Sequence, residues 1–245
     1  MQITLIGHST VLIEVGGRRI LTDPYFGSRG NLAYKRVTPA SSSGSELADV
    51  DVVLISHNHW DHVDRRFLGG LSSTVPVVAP RRSRWLTRLK GAKSPIGMTA
   101  WDEEDFGPVR ITAVPALHIA LTIGFVIQAL DAQVYFAGDT YHRPFMRDIG
   151  RKFDLDVALM PVTTYRLPMT MGEAGAVRAV RDLRPPWVIP IHLALQPRQP
   201  LLRTPQTPER FARRVRESGL QTEVVILAPG DRWSPPARTE GGGGT

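Results

Sequence analysis

The chain has 245 residues and a formal net charge of +7, from 30 basic and 23 acidic side chains. Its hydrophobic content of 42% and charged content of 22% are those of a globular protein with a sizeable buried core. The absence of cysteine excludes disulfides and thiolate metal sites. Any bound metal must therefore be held by histidine and carboxylate ligands, which suit zinc, iron or manganese.

The N-terminal residues show no basic segment followed by an apolar stretch and a small-residue cleavage site, so we expect a cytoplasmic protein. The longest weakly polar run, residues 119–130, is too short to cross a bilayer, and we expect no stable membrane insertion. Most basic residues are arginines. This bias either reflects a GC-rich genome or indicates an anionic substrate held by bidentate guanidinium groups.

The first part of the chain predicts mainly strands. Three alternating runs cover residues 2–7, 11–15 and 18–22, and Gly16-Gly17 predicts a tight hairpin turn. Residues 27–49 are rich in Ser, Gly and Asn and predict a long surface loop. Next come a buried strand over residues 50–55 and a short helix over residues 65–68. A further strand over residues 75–79 and a basic helix with solvated arginines over residues 81–90 follow. On the last helix, Trp85, Leu86 and Leu89 are expected to share one side.

From residue 109 onward the pattern predicts strands and then an alternation of strands and helices. The predicted strands cover residues 109–114, 122–129, 134–136, 157–160, 187–191 and 223–227. The predicted helices cover residues 146–152, 172–183 and 208–217. This order indicates an α/β (α+β) protein with two sheets and helices packed outside them. We assign residues 1–235 to a single domain and residues 236–245 to a flexible Gly-rich tail.

The most informative motif is H-N-H-W-D-H at residues 57–62, directly after the predicted buried strand. It places three of the seven histidines of the chain, and one aspartate, within six residues. Neutral imidazole is the commonest metal ligand in proteins, and a strand end holds such donors rigidly. The motif therefore predicts a metal site that includes His57, His59, Asp61 and His62.

Further donors follow other predicted strands. His118 ends the segment P-A-L-H, Asp139 lies in A-G-D-T, and His192 ends P-I-H. Each of them, taken alone, could be an ordinary loop histidine or a turn-forming aspartate. Their shared placement just beyond apolar strands, together with the first motif, indicates additional metal ligands.

This ordered set of histidines and aspartates resembles the metallo-β-lactamase superfamily of metallohydrolases over residues 2–233. The segments G-H-S-T at residues 7–10, Asp23-Pro24, F-A-G-D-T at 136–140 and T-M-G-E-A at 170–174 resemble one branch of it. That branch contains L-ascorbate-6-phosphate lactonase and N-acylphosphatidylethanolamine-hydrolysing phospholipase D. The resemblance implies the metallo-β-lactamase fold, a four-layer αβ/βα sandwich with the metals at one edge between the sheets.

The resemblance also implies a dinuclear centre of two divalent ions, zinc in the first place, with manganese or iron as alternatives. One ion is held by His57, His59 and His118. The other is held by Asp61, His62 and His192, with Asp139 bridging the two. A hydroxide bridging the metals is then the nucleophile, because bound metal lowers the pKa of water to about 7. Asp61 and Asp139 are the catalytic residues, and Asp61 can also orient the attacking water or accept its proton.

Five further residues are candidates for contacts with the ligands or the substrate. Asp23 can accept the free N–H of a ligand histidine, or it can simply open a turn. His8 can face the site or merely cap the first hairpin, and His142 can contact the substrate or lie in a surface loop. Tyr165 and Arg166 are candidate substrate contacts.

Together these features predict a metal-dependent hydrolase that cleaves a phosphodiester, a lactone or a related ester. The substrate is expected to be a small anionic or acyl-bearing molecule, and the apolar stretch 119–121 is expected to line an apolar part of it. A nuclease acting on RNA or DNA is an alternative that the basic surface favours, but the chain has no room for a large inserted domain. An iron-bound oxidoreductase and a non-catalytic metal-binding module on the same fold are further alternatives.

Overall fold

Two β-sheets packed face to face form the centre of the molecule, described here from a computed structural model over residues 1–28 and 30–236. The strands are β1 (Gln2–Gly7), β2 (Thr10–Val15), β3 (Arg18–Thr22), β4 (Tyr34–Arg36), β5 (Val52–Leu54), β6 (Pro76–Pro80), β7 (Ser94–Met98), β8 (Glu103–Phe106), β9 (Val109–Pro115), β10 (Ile123–Ala129), β11 (Ala132–Phe136), β12 (Val157–Pro161), β13 (Trp187–Ile191), β14 (Leu195–Pro197), β15 (Glu223–Val224) and β16 (Arg232–Trp233). The helices are α1 (Arg65–Gly70), α2 (Arg84–Leu89), α3 (Phe145–Lys152), α4 (Glu173–Leu183) and α5 (Pro208–Glu217).

The two large sheets are each mixed. Within the described residues, the first has the order β16-β1-β2-β3-β5-β6-β7 and the second β15-β13-β12-β11-β10-β9-β8. Hairpins build one part of each sheet, and parallel strands joined by helical crossovers build the other part. The β2–β3 hairpin pairs Val15 with Arg18 across Gly16 and Gly17, whose positive φ angles of 55° and 70° suit a two-residue turn.

Apolar side chains fill three layers of packing between four layers of secondary structure. Ile13 and Ile20 of the first sheet meet Phe125 and Phe136 of the second in the central core. A second cluster packs α3, α4 and α5 against the outer face of the second sheet, and a third packs α1 and neighbouring loops against the first. This is the α/β sandwich that the sequence predicts, and the fold class is confirmed.

Several local predictions need correction. Residues 27–49 are not a continuous loop, because β4 pairs with β14 and Ser45–Leu47 forms a 3-10 turn. The strand predicted over residues 50–55 is limited to β5, and the one predicted over 223–227 to β15. The short strands β4, β7, β8, β14 and β16 were not predicted. They depend on partners distant in the chain, and β8 in particular is an edge strand rich in acidic residues.

The basic helix predicted over residues 81–90 is also different in detail. It consists of a 3-10 turn, Arg81–Ser83, followed by α2, and its arginines are exposed as expected. Trp85 and Leu89 lie in solvent, whereas Ser83 and Thr87 are buried. The buried side of this segment is polar because the hydroxyls of Ser83 and Thr87 accept hydrogen bonds from the Asn58 amide of the His57–His62 motif. This side therefore does not pack on the apolar core.

The tail predicted at residues 236–245 lies outside the described residues, except for Pro236. In the part of the chain that is described, none of the helices combines the length and apolar character needed to traverse a bilayer.

The packing of α5 on the second sheet gives a first prediction. Phe211 is fully buried in the outer core, so Phe211→Ala should lower the free energy of unfolding by about 3–5 kcal/mol. Leu130→Ala is the control, because Leu130 is fully exposed and should change stability by less than about 0.5 kcal/mol. Guanidinium denaturation measures both. Equal midpoints for the two variants would contradict the assigned packing.

Candidate metal centre

Strands that run in the same direction bring polar residues to one edge of the two sheets. In the first sheet β3 and β5 are parallel, and β1 runs the same way because both β1 and β3 are antiparallel to β2. In the second sheet β11 and β13 share the direction of β9, because β9 and β11 are both antiparallel to β10. The residues that follow the carboxyl ends of these strands are His8, Asp23, His57, His118, Asp139 and His192.

Three histidines form the first group of possible metal ligands. Nε2 of His57 lies 3.0 Å from Nδ1 of His59, which lies 3.3 Å from Nε2 of His118. Nitrogen ligands at 2.0–2.1 Å from a tetrahedral zinc ion are about 3.3 Å apart, so these three atoms have suitable spacing. The group combines the loop after β5 with the loop after β9, as the sequence predicts.

The second group surrounds the carboxylates of Asp61 and Asp139. Oδ2 of Asp61 lies 4.0 Å from Nε2 of His62 and 3.9 Å from Nε2 of His192. Oδ2 of Asp139 lies 3.5 and 3.2 Å from the same two nitrogens. It also lies 3.9 Å from Nε2 of His57 and 3.8 Å from Nε2 of His118, so Asp139 stands between the two groups.

A buried carboxylate fixes the orientation of one histidine in each group. Asp23 accepts hydrogen bonds from Nδ1 of His62 at 2.7 Å and from the hydroxyl of Ser56 at 2.6 Å. Because the Ser56 hydroxyl donates to Asp23, its oxygen can accept the Nδ1 proton of His57, 3.0 Å away. Both rings then carry their proton on Nδ1 and direct the lone pair of Nε2 into the site. Asp23 therefore supports His62 directly and His57 through Ser56.

His8 holds the other side of the site. Its Nδ1 accepts the backbone N–H of Ala194 at 3.3 Å, so the proton of the neutral ring lies on Nε2, which is 3.4 Å from Oδ2 of Asp61. Burial lowers the pKa of His8 to about 3, which keeps the ring neutral at pH 7. Its backbone carbonyl accepts the N–H of His192 at 2.9 Å. His8 thus positions Asp61 and His192, and the hydrogen bond to Ala194 argues against a ligand role for it.

The protonation states of the cluster favour a bound cation. Burial lowers the pKa of His57 and His59, and it lowers the pKa of His118 to about 4, so these rings are neutral and offer lone pairs. Burial also opposes charge on His62, yet Asp139, Asp23 and Asp61 raise its pKa well above the ordinary value. The carboxylates therefore require positive charge at this point, from a proton on His62 or from metal.

The donor set fits a metal centre. Oδ1 of Asp139 is buried and makes no hydrogen bond with the described residues, which is costly unless another group binds it. The donors are imidazole nitrogens and carboxylate oxygens, and both kinds bind zinc, manganese and iron. The ligand atoms within each compatible group lie within 4.8 Å of one another.

The backbone around the site adopts conformations that need support from the surrounding fold. His8, Asp23 and His192 have φ angles of 58°, 34° and 65°, in the region that L-residues avoid. Gly138 has a φ of 55°, and a Cβ atom on it would lie 2.4 Å from Cβ of Ser56. Glycine at this position lets the Asp139 loop approach the loop that carries His57.

A cavity of about 210 Å³ opens over the clustered donors. Residues from the polar cluster form its floor, and aromatic and aliphatic residues form its walls. The lining residues are Tyr34, His59, Trp60, Asp61, His118, Ile119, Asp139, Tyr165, Met169, His192 and Leu195. Tyr34 belongs to β4 and Leu195 to β14, so the segment predicted as a surface loop contributes a wall of the cavity.

The structure brings together most, but not all, of the residues that the sequence singles out. Tyr165 lines the cavity, and of the apolar stretch 119–121 only Ile119 is among its lining residues. Arg166 does not: it is exposed, and its backbone N–H is bonded to the carbonyl of Leu202. His142 is paired with Asp182 of α4 at 2.8 Å and does not line the cavity. Their expected contact with substrate is therefore not supported.

The sequence interpretation missed other residues at the site. Ser56 could have been noticed from its position between the buried strand and His57. Trp60 lies inside the H-N-H-W-D-H motif, but an indole is no metal ligand, so a pattern of metal ligands does not single it out. Tyr34, Met169 and Leu195 carry no local signal, because tertiary contacts alone bring them to the cavity.

Comparison with known proteins agrees with this geometry. Residues 2–192 match the family model of the β-lactamase superfamily domain. The chain is 30% identical to a UPF0173 metal-dependent hydrolase of Methanopyrus kandleri, over 95% of this chain and 99% of the relative. The chain belongs to the UPF0173 family of metal-dependent hydrolases, within the β-lactamase superfamily.

Solved structures resemble this UPF0173 chain along nearly its whole length. Igni18, a metallo hydrolase from the archaeon Ignicoccus hospitalis, has a TM-score of 0.75 and 25% identity, with 95% of this chain and 97% of that chain covered. A possible metal-dependent hydrolase from Veillonella parvula has a TM-score of 0.80 at 16% identity, covering 96% and 99%, and supports the fold alone. These matches establish a metal-dependent hydrolase of the metallo-β-lactamase fold, whereas the lactonase-like branch stays a prediction.

The hydrogen bonds of Asp23 predict how the two groups of ligands respond to substitution. Asp23→Asn should weaken metal binding at both groups by about 10–100-fold, because it removes the carboxylate that orients His62 and Ser56. Ser56→Ala should weaken mainly the group that contains His57. Competition with a chromophoric zinc chelator measures the affinities. The exposed Asp131→Asn is the matched control, and wild-type affinity in Asp23→Asn would contradict the assigned role.

The exposure of Arg166 gives a further prediction. Arg166→Ala should leave KM unchanged for anionic and neutral substrates alike, because the side chain does not line the cavity. Steady-state kinetics on a matched pair of substrates tests this. A selective rise in KM for the anionic substrate would restore the contact that the sequence suggested.

Proposed function

We propose that the chain is a dinuclear metal-dependent hydrolase that cleaves an ester bond in a small molecule. The observation that carries this proposal is the convergence of four imidazole nitrogens, from His57, His62, His118 and His192, on Oδ2 of Asp139 at the floor of a cavity. Lactones, phosphodiesters and related esters belong to the reaction class, in line with the lactonase-like resemblance of the motifs.

Each group of donors would hold one divalent ion, with zinc as the first choice. His57, His59 and His118 would bind one ion. Asp61, His62 and His192 would bind the other, and Asp139 would contact both. Two such ions supply an activated water nucleophile at neutral pH and polarise the oxygen of the scissile group.

The protein side chains would orient the reacting groups. Although burial favours a protonated carboxyl, His62, His8 and His192 hold the pKa of Asp61 below its ordinary range. An ionised Asp61 can bind metal and accept a hydrogen bond from the attacking water, which directs the water towards the substrate. Nε2 of His8 lies 3.4 Å from Oδ2 of Asp61, so the His8 ring packs against this carboxylate and limits its movement.

Tyr165 is a wall residue rather than an acid in this scheme. Its hydroxyl donates to the backbone carbonyl of Leu195 at 2.8 Å, and burial raises its pKa above the ordinary value. The proton is thus held by an internal acceptor. Tyr165 would shape the cavity and exclude water from the substrate.

Elemental analysis combined with a hydrolysis screen tests the proposal. We expect about two equivalents of metal per chain, and loss of ester hydrolysis both after chelator treatment and in His59→Ala. The control is His142→Ala, which removes a histidine that does not line the cavity and should retain activity. Full activity in the chelator-stripped protein would contradict the proposal.

A further inference from the structure

The walls of the cavity over the donor cluster are uniformly uncharged. Imidazoles and carboxylates form the floor of the cavity. Its walls are aromatic and aliphatic side chains, namely those of Tyr34, Trp60, Ile119, Tyr165, Met169 and Leu195. Among the described residues, no lysine or arginine lines it. This is unexpected for a chain with a net charge of +7, whose basic residues could easily have supplied an anion-binding group.

Basic side chains near the cavity are directed to other partners. The Arg36 guanidinium lies over the ring of Tyr25, 4.6 Å from its centroid, and donates to the carbonyls of Gly27 and Thr38. Lys90 donates to the backbone carbonyl of Asn58. Both groups support the loops that build the site, and neither lines the cavity.

Part of the hydrogen-bonding capacity of the wall is already used within the protein. The Tyr165 hydroxyl is committed to the carbonyl of Leu195, and the rings of Tyr34 and Tyr165 lie 5.4 Å apart as a continuous aromatic surface. Trp60 packs edge-on against Tyr25, with ring centroids 5.6 Å apart, and presents its remaining surface to the cavity. An anionic group placed against these walls would lose hydration without gaining a cationic side chain as a partner.

We propose that this cavity selects uncharged carboxylic esters or lactones with a short, apolar acyl group, and discriminates against substrates with an anionic substituent. This inference rests on the proposed hydrolase function and narrows its substrate class. The volume of about 210 Å³ is smaller than that of sites for drug-sized ligands, about 300–1,000 Å³, so the acyl group must be small. Ile119 lines the cavity and is two-thirds exposed, so it stands where the wall meets solvent.

The reaction is a simple hydrolysis. Water oxygen bonds to the acyl carbon, the bond from that carbon to the leaving oxygen breaks, and the leaving oxygen takes up a proton from the water. The products are an alcohol and a carboxylic acid, which ionises at neutral pH.

A pair of esters with the same leaving group tests the selectivity. p-Nitrophenyl hexanoate and the mono-p-nitrophenyl ester of adipic acid have six-carbon acyl chains and differ in a terminal methyl or carboxylate. We expect the metal-loaded enzyme to show a kcat/KM at least tenfold higher for the hexanoate, and bis-(p-nitrophenyl) phosphate to be a poorer substrate than the hexanoate. Equal or faster hydrolysis of the adipate ester or the phosphodiester would overturn the inference while leaving the hydrolase function intact.

A charge placed in the wall should change this preference. Ile119→Lys should raise the adipate-to-hexanoate ratio of kcat/KM at least tenfold, because it supplies a cation at the mouth of the cavity. Ile119→Met is the matched control and should keep the preference for the neutral ester. Met169→Lys repeats the test from another wall. An unchanged ratio in both folded lysine variants would overturn the inference.

A binding measurement tests the selectivity of the cavity independently of substrate turnover. Hexanohydroxamic acid and adipic monohydroxamic acid carry the same metal-binding group, and calorimetry should show at least tenfold tighter binding of the neutral compound. Equal affinities would overturn the inference. Selective binding without hydrolysis of any ester would uphold the inference about the cavity and contradict the proposed hydrolase function.

Discussion

The candidate site depends on one carboxylate oxygen, Oδ2 of Asp139, which lies within 3.2–3.9 Å of four imidazole nitrogens. These nitrogens come from loops of both sheets, so the contact requires the two sheets to pack with these strand ends at the same edge of the sandwich. Gly138 makes this approach possible because any side chain there would collide with Ser56. A buried carboxylate is stable only when nearby positive charge compensates it, which links the packing of the sandwich to metal binding.

Two further groups hold the histidines and carboxylates in place from opposite sides. Asp23 sets the tautomers of His62 and, through Ser56, of His57. His8 contacts Asp61 through its ring and His192 through its backbone carbonyl. Both Asp23 and His8 have positive φ angles, so local backbone strain accompanies their placement. The surrounding strands must supply the stability that compensates for this strain, which explains why such residues directly follow well-packed strands.

The sequence was sufficient for the parts of this arrangement that rest on short spacing and strand periodicity. The H-N-H-W-D-H motif and the apolar runs before Asp139 and His192 predicted both the sandwich and the cluster of donors. It was insufficient for the cavity wall, because Tyr34 and Leu195 meet through pairing of β4 with β14, far apart in the chain. Nor could it show that Arg166 is exposed and does not line the cavity, since the position of a side chain in an irregular loop depends on tertiary contacts that local sequence does not encode.

Anomalous diffraction from crystals of the metal-loaded protein tests the central claim most directly. The account predicts two peaks, one bound by His57, His59 and His118 and the other by Asp61, His62 and His192, with Asp139 in contact with both. Metal bound elsewhere, or a single ion that leaves one of these groups without metal at saturating concentration, would contradict it.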